Sequence, residues 1–264
     1  MANVRTILSF TDYTPTATSA QSQFPVTALK NYRKPLQPWK AAAYGSTVDV
    51  TLDFGSGNTL SGLAADPGIF LNPVNVASVR IQGNSSSSWA TPPWDQPVTI
   101  SKDRENGRYK GFWRLADLSA SAFTYRFLNI RITAQTSVDV LPYRIGDVIV
   151  GQIIEWTINP LYGTQRKRGD VVRSVDLQGG SQEVSKLGEP IVYLNYPRSL
   201  FNATEINEQL DLLDLGLDQP FVIWDPGLGN GSQDAYLVRR IEAMPLTQTF
   251  LQFYEGQLAL REVT

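Results

Sequence analysis

Short runs of alternating apolar and polar residues recur through residues 1–142, and turn residues separate them. Val48–Phe54 alternates and then stops at Gly55-Ser56-Gly57, and Tyr125–Thr133 alternates throughout. The apolar side of the second run carries Leu128, Ile130 and Ile132. A period of two, bounded by Gly, Pro and Ser, is typical of half-buried β-strands. No helix longer than a turn or two is indicated, so the pattern predicts a β-sandwich or barrel.

The pattern changes along residues 143–264. Ile145–Asn159 is strand-rich, and Gly151 indicates a bulge or a break between two strands. Apolar residues then recur at spacings of four and three, which predicts a helix over Ala203–Leu215. The residues with this spacing are Ile206, Leu210 and Leu213. Asn202 and Glu205 form an N-cap pair ahead of it and Gly216 suits the position after its end, so we expect a β-rich second domain with one helix.

The composition removes most of the usual catalytic groups. The chain has no cysteine, which excludes disulfides, thiolate nucleophiles and the usual structural zinc sites. It has no histidine, the commonest general base. A formal net charge of −2 argues against generic binding to nucleic acid. We therefore expect a protein that is not an enzyme and holds neither cofactor nor metal.

The chain also lacks the sequence marks of a membrane or secreted protein. No apolar run approaches the roughly 20 residues that a membrane span requires. Residues 1–5 lack the charged and apolar pattern of a secretory signal. We expect synthesis in the cytoplasm and no membrane insertion.

An aromatic loop follows the serine run Ser85–Ser88. Trp89 and Trp94 flank a pair of prolines, and Tyr109 lies further on. Indole faces stack on sugars, so these three residues are candidates for glycan or partner contact. The alternative is that the loop tucks its tryptophans onto the sandwich or a neighbouring subunit. Three other tryptophans lie in strand-like contexts and are expected in the core: Trp39, Trp113 and Trp156.

Acidic residues offer weak candidates for chemistry. Asp49 and Asp53 lie on one face of a predicted strand, where they could serve acid–base chemistry or bind calcium. More often such residues are solvated, and no second acidic cluster is recognisable. The Gly-rich loop Asp225–Asp234 fails the calcium-loop template, because Tyr236 stands where a bidentate acid is needed. Asp-Pro-Gly occurs at the start of this loop and again at Asp66–Gly68, and both segments indicate turns.

A basic cluster, Arg166-Lys167-Arg168, is predicted to lie on a loop with Arg173 nearby. It could line a channel through which DNA passes, or dock on an acidic partner. A solvated turn is the commoner role for such a run of charges.

Two stretches of the chain each resemble a known protein family. Phe24–Leu29, Pro38–Ala41 and Val48–Gly55 resemble the opening of discoidin-like, galactose-binding-like jelly rolls, and Phe123–Thr133 resembles their ending. From about Tyr143, the chain resembles the belt domain of distal tail proteins of long-tailed bacteriophages. That second resemblance rests on Gly146–Glu155, Ala203–Leu215, Pro220–Asp225, Tyr236–Pro245 and Phe250–Leu258. The order, with the jelly roll first, departs from the commonest one.

The resemblance implies a galactose-binding-like jelly-roll domain over residues 1–142 and a ring-forming belt domain over residues 143–264. It implies a structural protein of the virion tail tip, whose ring joins the tail tube to the baseplate or tip. The ring would be a hexamer, or alternatively a trimer. Its partners would be tail-tube and hub proteins, a cell-surface glycan on the jelly roll, and DNA only by passage through the ring.

Two rival functions stay open at this point. One is a carbohydrate-binding module without catalysis, which would be monomeric and retained on a glycan column. The other is a carboxylate-based glycan hydrolase, which would lose activity on Asp53→Asn while remaining folded.

Overall fold

The protein is mainly β, with several antiparallel sheets and two α-helices among the described residues. The structure is a computed structural model that describes residues 3–30, 32, 38–42, 47–75, 78–102, 109–118, 122–133, 143–157, 164–169, 172–176, 182–186, 191–200, 203–226, 234–242, 246–250 and 253–263. The predicted mainly β fold class is thereby confirmed.

The strands fall in chain order along the whole sequence. The first ten are β1 (Arg5–Ile7), β2 (Thr14–Ala17), β3 (Trp39–Lys40), β4 (Val48–Asp53), β5 (Pro67–Val74), β6 (Ser78–Asn84), β7 (Trp94–Thr99), β8 (Ser101–Lys102), β9 (Tyr109–Arg114) and β10 (Phe127–Ile132). The others are β11 (Arg144–Gln152), β12 (Ile154–Glu155), β13 (Gln165–Gly169), β14 (Val172–Asp176), β15 (Gln182–Lys186), β16 (Ile191–Leu200), β17 (Phe221–Trp224), β18 (Ala235–Arg240), β19 (Leu246–Phe250) and β20 (Phe253–Glu262). The helices are α1 (Leu60–Leu63) and α2 (Ala203–Asp214), and two 3-10 helices cover Val26–Lys30 and Leu115–Leu118.

The chain divides into two compact units. The first comprises residues 1–103, 108–156 and 221–237, and the second comprises residues 104–107, 157–220 and 238–264. Strand β18 is divided between them after Leu237.

The first unit contains a β-sandwich. One antiparallel sheet has the order β2-β4-β10-β6-β7 and the other has the order β3-β11-β5-β9-β8. Val50 and Ile130 from the first sheet share one buried core with Leu71 and Val150 from the second. Leu128, Ile130 and Ile132 are fully buried, as their alternation predicts.

The sheet of the sandwich that contains β11 draws on residues from both sides of position 142. Strand β11 pairs along β5 from Ile145↔Val74 to Gln152↔Pro67. In the first unit, β1 also pairs with β12 and with β17. The limits of the compact units thus differ from the predicted boundary between residues 142 and 143. The assignment of two domains stays a prediction.

The second unit is built around the long strands β16 and β20. They pair from Tyr193↔Arg261 to Leu200↔Tyr254, and β13 pairs with the other side of β16. Strand β19 and the second half of β18 pair with β20. Strands β14 and β15 form a separate two-stranded sheet.

Helix α2 lies within one residue of its predicted range. Leu212 is 1% exposed, whereas Leu210, one of the residues that indicated the helix, is 42% exposed. The spacing of Ile206, Leu210 and Leu213 predicts a helix but does not show which side of it is buried. The guanidinium of Arg240 donates to the carbonyl oxygens of Leu213 and Leu215, which satisfies acceptors left open at the helix end.

The predicted N-cap pair Asn202 and Glu205 lies outside the residues whose side chains the structure describes. In the described part of the chain, no helix has the length and apolar character needed to cross a membrane.

Candidate functional site

An open pocket of about 490 Å³ lies in the first unit, where the segment before β2 meets the turn after β4. Its lining is mainly polar and combines hydroxyl, carboxylate and amide groups with a few apolar side chains. The lining residues are Ser9, Thr11, Asp12, Tyr13, Thr14, Asp53, Phe54, Gly55, Asn58 and Leu63. Such a mixture of donors, acceptors and apolar surface suits a polar organic ligand better than an apolar one.

The turn after β4 gives the pocket one of its walls. Gly55 and Gly57 have φ angles of 100° and 79°, a region that side chains disfavour. The amide of Gly55 donates to Asp53 Oδ1 at 2.9 Å, and the amide of Asn58 donates to the carbonyl oxygen of Gly55. Thr59 then caps α1 by accepting from the amide of Gly62 at 3.3 Å. The predicted turn at Gly55–Gly57 is confirmed, and it fixes Asn58 and Asp53 against the pocket.

Both carboxylates of the pocket are held in ion pairs. Arg126 donates from Nε and Nη2 to the two oxygens of Asp53 at 2.6 and 2.7 Å. This hydrogen bonding lowers the pKa of Asp53 below its ordinary value. Lys30 Nζ donates a single hydrogen bond to Asp12 Oδ1, and this bond lowers the pKa of the Asp12 carboxyl group. The two aspartates are therefore ionised acceptors at neutral pH, not proton donors.

Asp49 belongs to a separate polar network on the outer face of the same sheet. Arg131 donates from Nε and Nη2 to its two oxygens at 2.7 and 2.9 Å. Asn129 donates to Asp49 Oδ1 at 2.8 Å and to Gln82 Oε1 at 2.9 Å. Gln82 donates in turn to Asp95 Oδ2 at 3.0 Å. Because these groups satisfy one another, the network favours a structural role for Asp49.

Trp89 closes over this network, whereas Trp94 packs into the sandwich core. Trp89 is 9% exposed, and its Nε1 donates to Thr51 Oγ1 at 3.1 Å. Trp94 is 3% exposed, with its ring edge-on to Phe123 at 5.1 Å between centroids. Neither indole presents an open face, which favours the tucked alternative. Tyr109 is half-buried, with Lys102 Nζ 5.1 Å from its ring centroid. Glycan contact by these three residues stays a prediction.

The three tryptophans that we expected in the core lie where their contexts predict. Trp39 and Trp156 are buried, and Trp113 is partly buried against the sandwich core.

The basic cluster Arg166-Lys167-Arg168 lies on strand β13, so its predicted position on a loop was wrong. The three residues pair in register with Leu194, Tyr193 and Val192 of β16. Strand β13 stands at the end of its sheet order, and charged side chains are common on such edges because they discourage further strand pairing. Its role in lining a channel or docking stays a prediction, and the side chain of Arg173 lies outside the described residues.

The Gly-rich loop after β17 is described only at its two ends. The amide of Asp225 donates to the carbonyl oxygen of Asp234 at 3.2 Å, and both aspartates are buried. Among the described residues, no group of three or more acids is placed to hold a metal ion.

Sequence reasoning missed most of the pocket. Residues 9–14 and 53–58 are far apart in the chain and meet only because β2 pairs with β4, with Thr14 opposite Asp53. It also missed Asp147, whose two carboxylate oxygens are buried without a hydrogen-bond partner among the described residues. The apolar run around Asp147 predicts a buried strand, which was the available signal.

Comparisons with known proteins find solved structures of low identity and low TM-score. No protein-family model and no curated protein sequence matches the chain. Among solved structures, chitosan-binding module 1 of a chitosanase/glucanase from Paenibacillus sp. IK-5 has 17% identity and a TM-score of 0.37, over 55% of this chain and 97% of that one. Reduced XRCC1 bound to the DNA polymerase β catalytic domain has 16% identity and a TM-score of 0.39, over 57% and 97%.

A third solved structure, the virion of a native gene transfer agent particle, has 15% identity and a TM-score of 0.29, over 41% of this chain and 83% of that one. These identities and TM-scores assign no ligand and no partner to this protein.

Proposed function

We propose that this chain is a non-catalytic binding and structural protein of a bacteriophage tail tip. The first unit serves as the binding module, and the second unit serves assembly. The binding part of this proposal has the better support from the structure, and the tail-tip part rests on the sequence resemblance. One observation carries the proposal: the pocket of the first unit is open and polar, while its carboxylates are held by cations.

The pocket fits a neutral glycan. Hydroxyl and amide groups such as Thr14 and Asn58 both donate and accept, as sugar hydroxyls do. Asp12 and Asp53 carry charges that are already balanced by Lys30 and Arg126, so they can accept hydrogen bonds from hydroxyl groups without requiring a cationic ligand. Leu63 is 44% exposed and offers an apolar patch for the CH face of a sugar. A cell-surface glycan is thus the proposed ligand.

Catalysis is disfavoured by the same geometry. Glycoside hydrolysis needs one carboxyl group that is protonated as the reaction begins. Pairing with Arg126 lowers the pKa of Asp53 and therefore works against that role.

A binding assay on neutral oligosaccharides tests this proposal with two matched threonines. Thr14 and Thr99 are both exposed on strands of the same sheet, but only Thr14 lines the pocket. Thr14→Val removes one hydroxyl contact, worth about 1 kcal/mol, so the affinity should fall about fivefold. Thr99→Val should bind as the wild type does.

The assay also measures whether new reducing ends appear. Retention of the glycan without cleavage supports a binding module. Cleavage, or equal affinity of both threonine variants, would contradict the proposal for this pocket.

The proposed place of the protein is a ring in the virion. In that ring, a head-to-tail interface repeats through a rotation that closes, with six copies, or alternatively three. The ring would join the tail tube to the tip, and the jelly rolls would contact neighbours or the cell surface. Support comes from the belt-like sequence pattern of helix α2, which lies in the second unit.

A further inference from the structure

A row of positively charged side chains crosses the half-exposed face of the sheet in the second unit. Lys167 of β13 lies opposite Tyr193 of β16, Tyr193 lies opposite Arg261 of β20, and Arg261 lies opposite Arg239 of β18. Residues that are paired in register project from the same face of a sheet. These four side chains, which we call the basic row, therefore stand side by side although they come from four distant segments.

Exposure separates the basic row from the core face. Lys167 and Arg239 are exposed, and Tyr193 and Arg261 are half-exposed. Their chain neighbours Val192, Leu194, Leu260 and Val238 are buried on the opposite face. The Tyr193 ring lies over Gly169, where an added Cβ would come within 2.9 Å of Cε2. The glycine thus lets the ring lie along the face beside Lys167.

The row has no acidic counterpart nearby in these strands. Of the described residues of β13, β16, β18 and β20, the acid on this face is Glu255, six residues along β20 from Arg261. At the rise of a strand, that separation is about 20 Å. Glu262 lies on the opposite face, buried, and accepts from the amide of Val192.

Two like charges are placed directly opposite each other in this row. Arg261 and Arg239 are register partners, and like charges in that position repel and destabilise a sheet. An anion lying across both guanidinium groups would remove that repulsion. The arrangement is therefore suited to a ligand that brings closely spaced negative charges.

We propose that the basic row binds the phosphodiester backbone of nucleic acid. Neighbouring strands lie about 4.8 Å apart, so the four side chains of the basic row extend over roughly 14 Å. A row of this length can contact several phosphates of a duplex. Arginine forks suit phosphate oxygens, and a lone tyrosine adds contact without providing base readout. The expected binding is independent of sequence and sensitive to salt, and it is local to this face although the whole chain has a net charge of −2.

The test measures binding of a short fluorescently labelled DNA duplex by fluorescence anisotropy at several salt concentrations. With about three phosphate contacts, the affinity should fall roughly twentyfold for a threefold rise in salt. The double variant Arg239→Gln/Arg261→Gln should reduce the slope of log affinity against log salt by about 2. Removing the facing charges should leave thermal stability unchanged or higher, so loss of binding would not be due to unfolding.

Two further variants separate this face from charge in general. Lys167→Gln, at the sheet edge, should reduce the slope by about 1. Arg144→Gln removes an exposed charge in the first unit and should leave binding unchanged. Failure of the wild type to bind the duplex at low salt, or equal effects of Arg144→Gln and the row variants, would overturn the proposal. Polyglutamate that competes as well as DNA at equal charge would also overturn it, in favour of an acidic protein partner.

Discussion

Two aspartates of the first unit show how surroundings decide the behaviour of a carboxyl group. Asp53 is held by two hydrogen bonds from Arg126, which lower its pKa. Asp147 is fully buried on β11, its oxygens have no hydrogen-bond partner among the described residues, and desolvation raises its pKa well above the ordinary value. Asp53 therefore stabilises the fold at pH values above its unfolded pKa, whereas Asp147 stabilises the fold at pH values below its unfolded pKa.

Asp147→Asn should therefore stabilise the protein at neutral pH. A carboxyl group whose pKa is raised in the fold stabilises it fully below the unfolded pKa, near 3.8, and this contribution is lost as the pH rises. The advantage of the variant in unfolding free energy should grow with pH by up to ~1.4 kcal/mol per unit. Urea unfolding between about pH 4 and about pH 7 measures it.

The exposed Asp211 provides the control for this experiment. Asp211→Asn should show no such growth with pH. An Asp147→Asn variant that is less stable than the wild type at neutral pH would show that the charged carboxylate has a stabilising partner.

Individual roles of residues were the hardest to predict from sequence. The alternation placed Asp49 and Asp53 on one face, and the structure bears this out, since both lie on β4 and pair with arginines of the segment that contains β10. The sequence could not show that pairing, because it depends on the register between β4 and β10. Trp89 and Trp94 likewise could not be assigned to surface or core from composition alone.

At the scale of elements, period and turn chemistry predicted best. The strands around Val48–Phe54 and Tyr125–Thr133 and the helix α2 all lie close to their predicted ranges. Strand β5, with two prolines, and the short β1 and β2 give no clear alternation and were not predicted. These strands form because they pair with strands that are distant in the chain, and the local sequence pattern does not contain that information.

Gly151 illustrates an element whose packing requires a glycine. It forms a bridge with Phe10, and an added Cβ would lie 2.4 Å from the carbonyl oxygen of Ser9 and 2.6 Å from Ile7 Cγ2. The predicted break between strands follows two residues later, at Ile153, between β11 and β12. The close approach of the segment before β2 depends on the missing side chain.

Gly151→Ala should lower the unfolding free energy by about 1–3 kcal/mol, because backbone must move to admit the new methyl group. Gly62→Ala is the matched control, since its Cβ would meet only Thr59 Oγ1 at 3.4 Å. Chemical denaturation of both variants measures the difference. Equal stability of Gly151→Ala and the wild type would contradict the described contact with Ser9.

At the scale of the whole molecule, the sequence indicated a mainly β protein in two parts, and the structure has two compact units. The limits of the units could not be predicted, because residues 221–237 return to the first unit late in the chain. Local periodicity does not reveal such a return. The first unit offers the pocket and the second offers the basic row, so each provides a surface of different chemistry for the proposed role in a tail tip.

The most direct test of the tail-tip account is negative-stain imaging of the purified protein, with its mass in solution measured by sedimentation. The account predicts closed rings with a central hole, built from six copies, or three, by a repeated head-to-tail interface. Particles of single-chain size in the images, with a monomer mass at every concentration tested, would contradict it.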